Sequence, residues 1–196
     1  MCGRYALHAN PEVIALQFGL DSAPEFAPRY NIAPATEALI VSGGKASLAR
    51  WGLRRKFANL RAETLAQKFP GPYRAGRALV PASGFYEWQS TAGRKQPYYF
   101  FPKHELLLGL AAIWERGTFS LITTEPNATL RNIHDRMPVI IARDDYGAWL
   151  AGEEGLLRPA PDNALKVHPV GIAVNQAAND SPRLLDPVEL PRGLFD

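Results

Sequence analysis

The stretch RALVPASGFYEW, residues 77–88, decides the fold, because it holds two strand-like runs on either side of one short break. Apolar and aromatic residues fill 77–81 and 84–89, and Pro, Ser and Gly mark the break between them. Strands of this kind outnumber helices along the chain, which favours an α+β domain around a mostly antiparallel, barrel-like sheet with short flanking helices. Further strand-like runs lie at 38–42, 47–53, 97–101, 106–114, 118–123, 137–142 and 170–174.

The clearest helix signal lies near the start of the chain. Asn10 is a typical N-cap, Pro11 suits the first helical turn, Glu12 complements the helix dipole, and Gly19 ends the pattern. These residues predict a helix over 11–18. The sequence predicts further short helices at 62–68, 126–132 and 144–151, and a proline-broken loop at 20–37 that contains RYNIAPAT.

The length and composition of the chain favour a single soluble domain that comprises residues 1–196. The longest apolar run, Leu106 to Trp114, is too short to span a bilayer, and the first twenty residues lack the apolar core of a secretory signal. We therefore expect a cytoplasmic monomer without membrane contact, nucleoid-associated in a bacterium. A single cysteine excludes an internal disulfide, and no ligand cluster or phosphate-cradling glycine loop implies a metal or organic cofactor.

Positive charge is concentrated in one segment. Between Arg50 and Arg77 the only acid is Glu63, and aromatic residues alternate with the cations, as expected where a groove follows a nucleic-acid backbone and stacks its bases. A genomic preference for arginine codons is the alternative explanation. The cations are Arg50, Arg54, Arg55, Lys56, Arg61, Lys68, Arg74 and Arg77, and the aromatic residues are Trp51, Phe57, Phe69 and Tyr73.

The only cysteine is Cys2, in MCGRY. Removal of Met1 would place a free α-amine and a thiol on adjacent carbons of Cys2. An α-amine, with an ordinary pKa near 8, attacks aldehydes at neutral pH, and the thiol can then close a thiazolidine ring on the imine carbon. A chance position, with Cys2 acting as a small apolar residue, is the alternative.

Two residues are candidates for proton transfer. Glu87 lies between aromatic residues in GFYEW, where burial would raise its pKa, and His134 lies in NIHDRMPV before a strand. An exposed strand position for Glu87 and an ordinary surface position for His134 are the alternatives.

The segment NLRAET adds polar candidates near the basic stretch. Asn59 could hold the α-amine or a sugar hydroxyl, and Arg61 could bind a phosphate. Alternatively, Asn59 caps the following helix and Glu63 complements its dipole. Trp51 offers a stacking surface or belongs to the core.

Eight motifs occur in the order in which the SRAP (SOS response-associated peptidase) family carries them, so the chain resembles that family over nearly its whole length. Members of that family process abasic sites in single-stranded DNA, with removal of Met1 followed by a thiazolidine crosslink. The motifs are MCGRY, RYNIAPAT, RWGL, NLRAET, RALVPASGFYEW, GLAAIWE, ITTEPN and HDRMPVI.

The resemblance implies a role for each matching residue. Cys2 becomes the nucleophile, Asn59 positions it or the sugar, Glu87 acts as general acid and base, and His134 assists proton transfer at the sugar. The residues implied to contact DNA are Arg4, Trp51, Arg61 and Arg136.

The chain departs from the family pattern at two points. Leu60 replaces the first alanine of the usual NARAE, and the segment after RWGL is short and lacks the usual Pro-x-Trp. The residues Arg54, Arg55, Lys56 and Phe57 stand there instead.

Three functions fit these residues. The leading hypothesis is covalent capture of abasic sites in single-stranded DNA through Cys2, after autocatalytic or enzymatic loss of Met1. An N-terminal-nucleophile cysteine peptidase acting on other proteins is the second, and a non-covalent single-strand-binding module is the third.

Overall fold

The structure is a computed structural model, and it describes residues 2–91 and 93–190. Within these residues two β-sheets form the main regular structure and short helices flank them. The strands are β1 (Arg4–Leu7), β2 (Arg29–Ile32), β3 (Glu37–Ser42), β4 (Lys45–Trp51), β5 (Asn59–Arg61), β6 (Arg77–Ala82), β7 (Gly84–Thr91), β8 (Arg94–Pro102), β9 (Leu108–Glu115), β10 (Thr118–Thr124), β11 (Met137–Pro138), β12 (Ile140–Ile141) and β13 (Leu165–Pro169). The helices are α1 (Pro11–Phe18), α2 (Ala62–Lys68), α3 (Pro70–Ala75) and α4 (Tyr146–Ala151).

The larger sheet closes on itself. Strands β10, β4, β3, β6 and β9 are neighbours in that order, and β9 pairs back with β10 to complete a barrel. Most of these pairs are antiparallel, whereas β10 runs parallel to β4 and to β5. The predicted barrel-like, mostly antiparallel α+β fold is therefore confirmed.

The second sheet is antiparallel, in the order β13, β8, β7, β1 and β2. The chain passes from the barrel into this sheet through Ser83, whose N–H donates to the Ala6 carbonyl at 2.7 Å. A Cβ on Gly84 would lie 2.5 Å from the carbonyl oxygen of Phe100 and from the Tyr99 ring, so the crossing requires glycine. The stretch 77–88 thus joins the two sheets.

The core lies inside the barrel and beneath the second sheet. Trp51 is fully buried, its ring stacks on Phe119 at 6.3 Å between centroids, and it meets Tyr5 at 5.3 Å. Its indole N–H donates to the Ala58 carbonyl at 2.8 Å. This bond fixes the short link between β4 and β5 against the barrel.

The predicted helix over 11–18 is confirmed with its caps. The Asn10 side chain accepts a hydrogen bond from the N–H of Val13 at 3.0 Å, and Gly19 ends the helix with a φ of 64°. The prediction for 62–68 matches α2, and 144–151 corresponds to a 3-10 turn followed by α4.

Three local predictions are wrong. Residues 126–132 form a series of turns instead of a helix, and 170–174 enter a 3-10 helix at Ile172–Asn175 instead of a strand. The predicted loop over 20–37 contains β2, because Arg29–Ile32 pairs with β1. Short segments of this kind take their structure from a distant partner, which local propensity does not register.

Candidate active site

The site begins at Cys2, which lies just before β1 and is fully buried. Asn59, the first residue of β5, donates from Nδ2 to the Cys2 carbonyl at 2.9 Å. The Asn59 Oδ1 atom is buried and has no hydrogen-bond partner within the described residues. The first residue of one strand thus fixes the backbone of Cys2 from a position 57 residues away along the chain.

Burial raises the pKa of the Cys2 thiol well above its ordinary value, and the nearby Glu87 carboxylate raises it further. The Cys2 sulfur lies 3.8 Å from the Arg4 carbonyl, which accepts its weak hydrogen bond. The thiol is therefore protonated at neutral pH and enters a reaction as S–H.

Glu87 reaches the site from β7, which pairs with β1. It is only 1% exposed, and burial raises its pKa from 4.5 to about 8. The burial expected from its aromatic neighbours is present, so the surface alternative for Glu87 is wrong. A carboxyl group with this pKa is largely protonated at neutral pH and can donate a proton.

His134 comes from the loop before β11 and faces Glu87. Its Nε2 lies 3.7 Å from Oε2 of Glu87, while its Nδ1 accepts the backbone N–H of Arg136 at 3.0 Å. Burial lowers the pKa of His134. The imidazole is therefore neutral at neutral pH, and its Nδ1 also lies 3.1 Å from the Arg136 carbonyl oxygen.

Glu87 and His134 lie in a cleft of about 360 Å³. Its cations, Arg4 and Lys95, suit a polyanionic ligand. The Trp88 indole N–H donates to Oδ1 of Asn175 at 2.7 Å, which fixes the ring at the cleft wall. The complete lining is Arg4, Glu87, Trp88, Ser90, Lys95, His134 and Asn175.

Sequence reasoning missed Trp88, Ser90, Lys95 and Asn175 as members of this cleft. Trp88 carried one signal, because it lies directly beside Glu87 in GFYEW. Asn175 gave none, since only the tertiary fold brings it to the cleft.

The implied DNA-facing role of Trp51 is corrected by its position. The side chain is 0% exposed and packed inside the barrel, so no nucleic-acid base can stack on it. The core alternative weighed for this residue is the right one.

The implied phosphate contact of Arg136 is also corrected. Its Nη1 and Nη2 donate to the two carboxylate oxygens of Glu63 at 2.6 and 2.9 Å, and Nη2 also donates to the Thr123 carbonyl at 2.7 Å. The residue is 9% exposed. This paired guanidinium joins α2 to β10. The backbone N–H of the same residue holds His134 by its Nδ1 atom.

Most cations predicted for a basic surface are exposed, including Arg61, but Arg77 is not. Its guanidinium lies between the rings of Tyr73 and Trp149, 4.4 and 4.5 Å from their centroids, and it donates to the Tyr73 carbonyl. Arg77 is a buried structural residue and belongs to no DNA surface.

Among residues 2–91 and 93–190, no three His, Cys, Asp or Glu side chains converge as a metal ion requires. The helices described above include none that is long and apolar enough to cross a membrane.

With this geometry defined, comparison with known proteins identifies the family. The model of the SOS response associated peptidase (SRAP) family matches residues 1–177, and the chain belongs to that family. The abasic site processing protein YoaM of Bacillus subtilis (strain 168) is 33% identical over 95% of this chain and 98% of its own length.

More distant relatives carry the same kind of name. The abasic site processing protein YedK of Escherichia coli (strain K12) is 29% identical over 96% of this chain and all of its own. The abasic site processing protein HMCES of Gallus gallus is 35% identical over 69% of this chain, which spans 51% of that protein. A crystal structure from Bacteroides thetaiotaomicron shares the fold, with a TM-score of 0.85 at 22% identity over 96% of this chain and 100% of that one.

Proposed function

We propose that this protein recognises abasic sites in single-stranded DNA and joins them covalently through Cys2. The names of its relatives support abasic-site processing. The observation that carries the chemistry is the hydrogen bond from Asn59 to the Cys2 carbonyl at 2.9 Å, beside a protonated Glu87. It holds the reacting residue by its backbone carbonyl, a group that takes no part in the bonds that the amine and the thiol form.

The reaction requires loss of Met1, a residue outside the described part of the chain. Hydrolysis of the Met1–Cys2 peptide bond consumes one water and converts an amide nitrogen, which is not nucleophilic, into a primary amine. This hydrolysis is autocatalytic or is performed by another enzyme.

The freed amine attacks the aldehyde of the ring-opened sugar and forms a carbinolamine. Glu87 donates its proton to the carbinolamine hydroxyl, which leaves as water and gives an iminium ion. The Cys2 sulfur then bonds to the iminium carbon, and the S–H proton returns to the Glu87 carboxylate. The product is a neutral thiazolidine, one water is released, and Glu87 is again protonated.

The raised pKa values of Cys2 and Glu87 suit these steps. A thiol that stays protonated supplies the proton that the carboxylate must regain, and an acid with a pKa of about 8 is available at neutral pH. The imidazole of His134, with Nε2 3.7 Å from Glu87, orients the carboxyl group and assists proton transfer at the sugar hydroxyl.

The surrounding charge supports a DNA ligand. Arg4 and Lys95 line the cleft. Arg61 is exposed and lies on β5, two residues after Asn59. Phosphate contacts by these cations would hold the strand while the lesion enters the cleft.

The other two hypotheses receive less support. An amide carbonyl is a weak electrophile, so cysteine peptidases attack it with a thiolate, favoured by a lowered pKa, whereas burial raises the pKa of the Cys2 thiol. The positively charged iminium carbon is a much stronger electrophile and can accept the neutral thiol, whose proton passes to Glu87. A non-covalent binding module would use the cations but leaves the contact between Asn59 and Cys2 without a purpose.

The test mixes the protein, with loss of Met1 verified by intact mass, with a single-stranded oligonucleotide that carries one abasic site. On a denaturing gel, wild type should give a shifted DNA–protein band and Cys2→Ala should give none. Cys2→Ala should still bind undamaged DNA, which controls for folding. A wild-type protein without Met1 that forms no band would overturn the proposal.

A further inference from the structure

A second cleft, distinct from the one at Glu87, opens where the loop after β4 meets the turn between β9 and β10. Its volume is about 440 Å³. Three of its lining side chains are arginines, and we call it the arginine cleft. It is lined by Arg54, Arg55, Glu115, Arg116 and Thr118.

All three arginines have a backbone conformation that favours glycine or asparagine. The φ angles are 53° at Arg54, 58° at Arg55 and 49° at Arg116. Arg116 and Gly117 form the two-residue turn between β9 and β10, where Asn-Gly is the typical pair. Unfavourable backbone conformations held in one place point to a function for the side chains that they present.

Backbone hydrogen bonds hold the loop in this conformation. The N–H of Arg54 donates to the Thr118 hydroxyl at 3.1 Å, and the N–H of Arg55 donates to the Gly52 carbonyl at 2.7 Å. The fully buried Leu53 anchors the loop in the core. The arginine side chains are therefore presented from a fixed backbone.

The cleft is positively charged despite one carboxylate. Glu115 accepts a hydrogen bond from Nε of Arg54 at 3.0 Å, and this contact lowers the pKa of Glu115. Three arginines against one glutamate leave a net charge of plus two. All three arginines are exposed, so an anion reaches them from solvent.

A series of side-chain contacts leads from this cleft towards Cys2. The Arg54 guanidinium lies 5.6 Å from the centroid of Phe69, and Phe69 meets Phe57 edge to face at 5.2 Å. Both rings line a pocket of about 220 Å³ that also contains Asn59, the residue bound to Cys2. The cations of that pocket are Arg61 and Lys68.

The sheet register gives the distance between the arginine cleft and Asn59. Asn59 lies opposite Leu121 on β10, and Thr118 of the arginine cleft lies three residues earlier on the same strand. At about 3.3 Å per residue the separation along the strand is about 10 Å.

We propose that the arginine cleft binds the phosphodiester backbone of the captured DNA strand, about 10 Å along the sheet from the residue that holds Cys2. The inference rests on the proposed function for the identity of the strand. The phosphates lie against Arg54, Arg55 and Arg116, and intervening bases lie along Phe57.

The test measures non-covalent binding of fluorescent, lesion-free single strands of about 4 and about 12 nucleotides across a salt series. The triple variant Arg54→Gln/Arg55→Gln/Arg116→Gln is compared with a charge-matched control, Lys45→Gln/Arg158→Gln/Arg183→Gln, whose residues are exposed and lie outside both clefts. A second triple variant replaces the three cleft arginines with lysine.

On the longer strand the glutamine variant should lose about 2 from the slope of log affinity against log salt, because each single-strand phosphate contact contributes about 0.7. The control and the lysine variant should keep the wild-type slope, and the shorter strand should show little change. Equal losses in the glutamine variant and the control, or in the glutamine and lysine variants, would overturn the proposal.

These strands contain no aldehyde, so the result is independent of crosslinking. A slope loss without any covalent product from abasic DNA would support the cleft and refute the proposed function. A covalent product from abasic DNA, together with an unchanged salt slope in the glutamine variant, would support the proposed function and refute the role of the arginine cleft.

Discussion

The buried carboxyl group of Glu87 makes protein stability depend on pH in a direction that can be measured. Its pKa is 4.5 in the unfolded chain and about 8 in the folded protein, because the folded protein buries the carboxylate. Between these values the folded state binds more protons than the unfolded state. The contribution of Glu87 to stability is therefore fully present below pH 4.5 and is lost as pH rises towards 8.

Replacing Glu87 with glutamine removes this dependence and keeps the shape of the side chain. The stability of Glu87→Gln relative to wild type should increase by up to about 1.4 kcal/mol for each pH unit between pH 4.5 and 8. The whole window sets a ceiling of about 5 kcal/mol. Above pH 8 the difference should level off.

The assay is urea unfolding of both proteins at several pH values from 5 to 9, with identical N-termini confirmed by mass. Glu25→Gln, at an exposed position, serves as the control and should track wild type. A constant difference between Glu87→Gln and wild type across this range, or one that shrinks as pH rises, would refute the assignment of a buried protonated carboxyl group.

Two further substitutions test the fold around the site. Trp51→Ala should lower the free energy of unfolding, measured by urea denaturation, by about 3–5 kcal/mol, because the packing of the buried indole and its hydrogen bond to the Ala58 carbonyl are lost. A loss below about 1 kcal/mol would contradict a core position for Trp51. Arg116→Asn should raise the melting temperature, with a gain of up to about 1 kcal/mol, because asparagine tolerates the φ of 49°. A lower melting temperature would show that the turn conformation is not unfavourable for arginine.

Local signals in the sequence account for much of the fold. The caps at Asn10 and Gly19 define α1, and continuous apolar runs define most of the barrel strands, because both patterns depend only on neighbours in the chain. The strand β13 carried no such signal. It forms because His168 and its neighbours pair with β8, and a pairing between distant segments has no local signature.

The candidate site likewise contains features that have a local sequence signal and contacts that depend on the tertiary fold. The aromatic neighbours of Glu87 indicated burial and a raised pKa as one of two alternatives, and the structure shows the burial. Its approach to His134, 47 residues away, depends on how β7 and the loop before β11 meet, and residue spacing alone does not reveal this. The same holds for the paired state of Arg136, since its partner Glu63 lies on another element.

The covalent attachment at Cys2 is tested most directly by mapping the crosslink. Protein lacking Met1 is incubated with abasic single-stranded DNA, denatured and digested, and the DNA-bearing peptide is sequenced by mass spectrometry. The account predicts that the DNA remnant lies on a peptide that begins at Cys2, with the mass of an aldehyde adduct that has lost one water. A remnant on a lysine side chain, or on a peptide that still carries Met1, would contradict it.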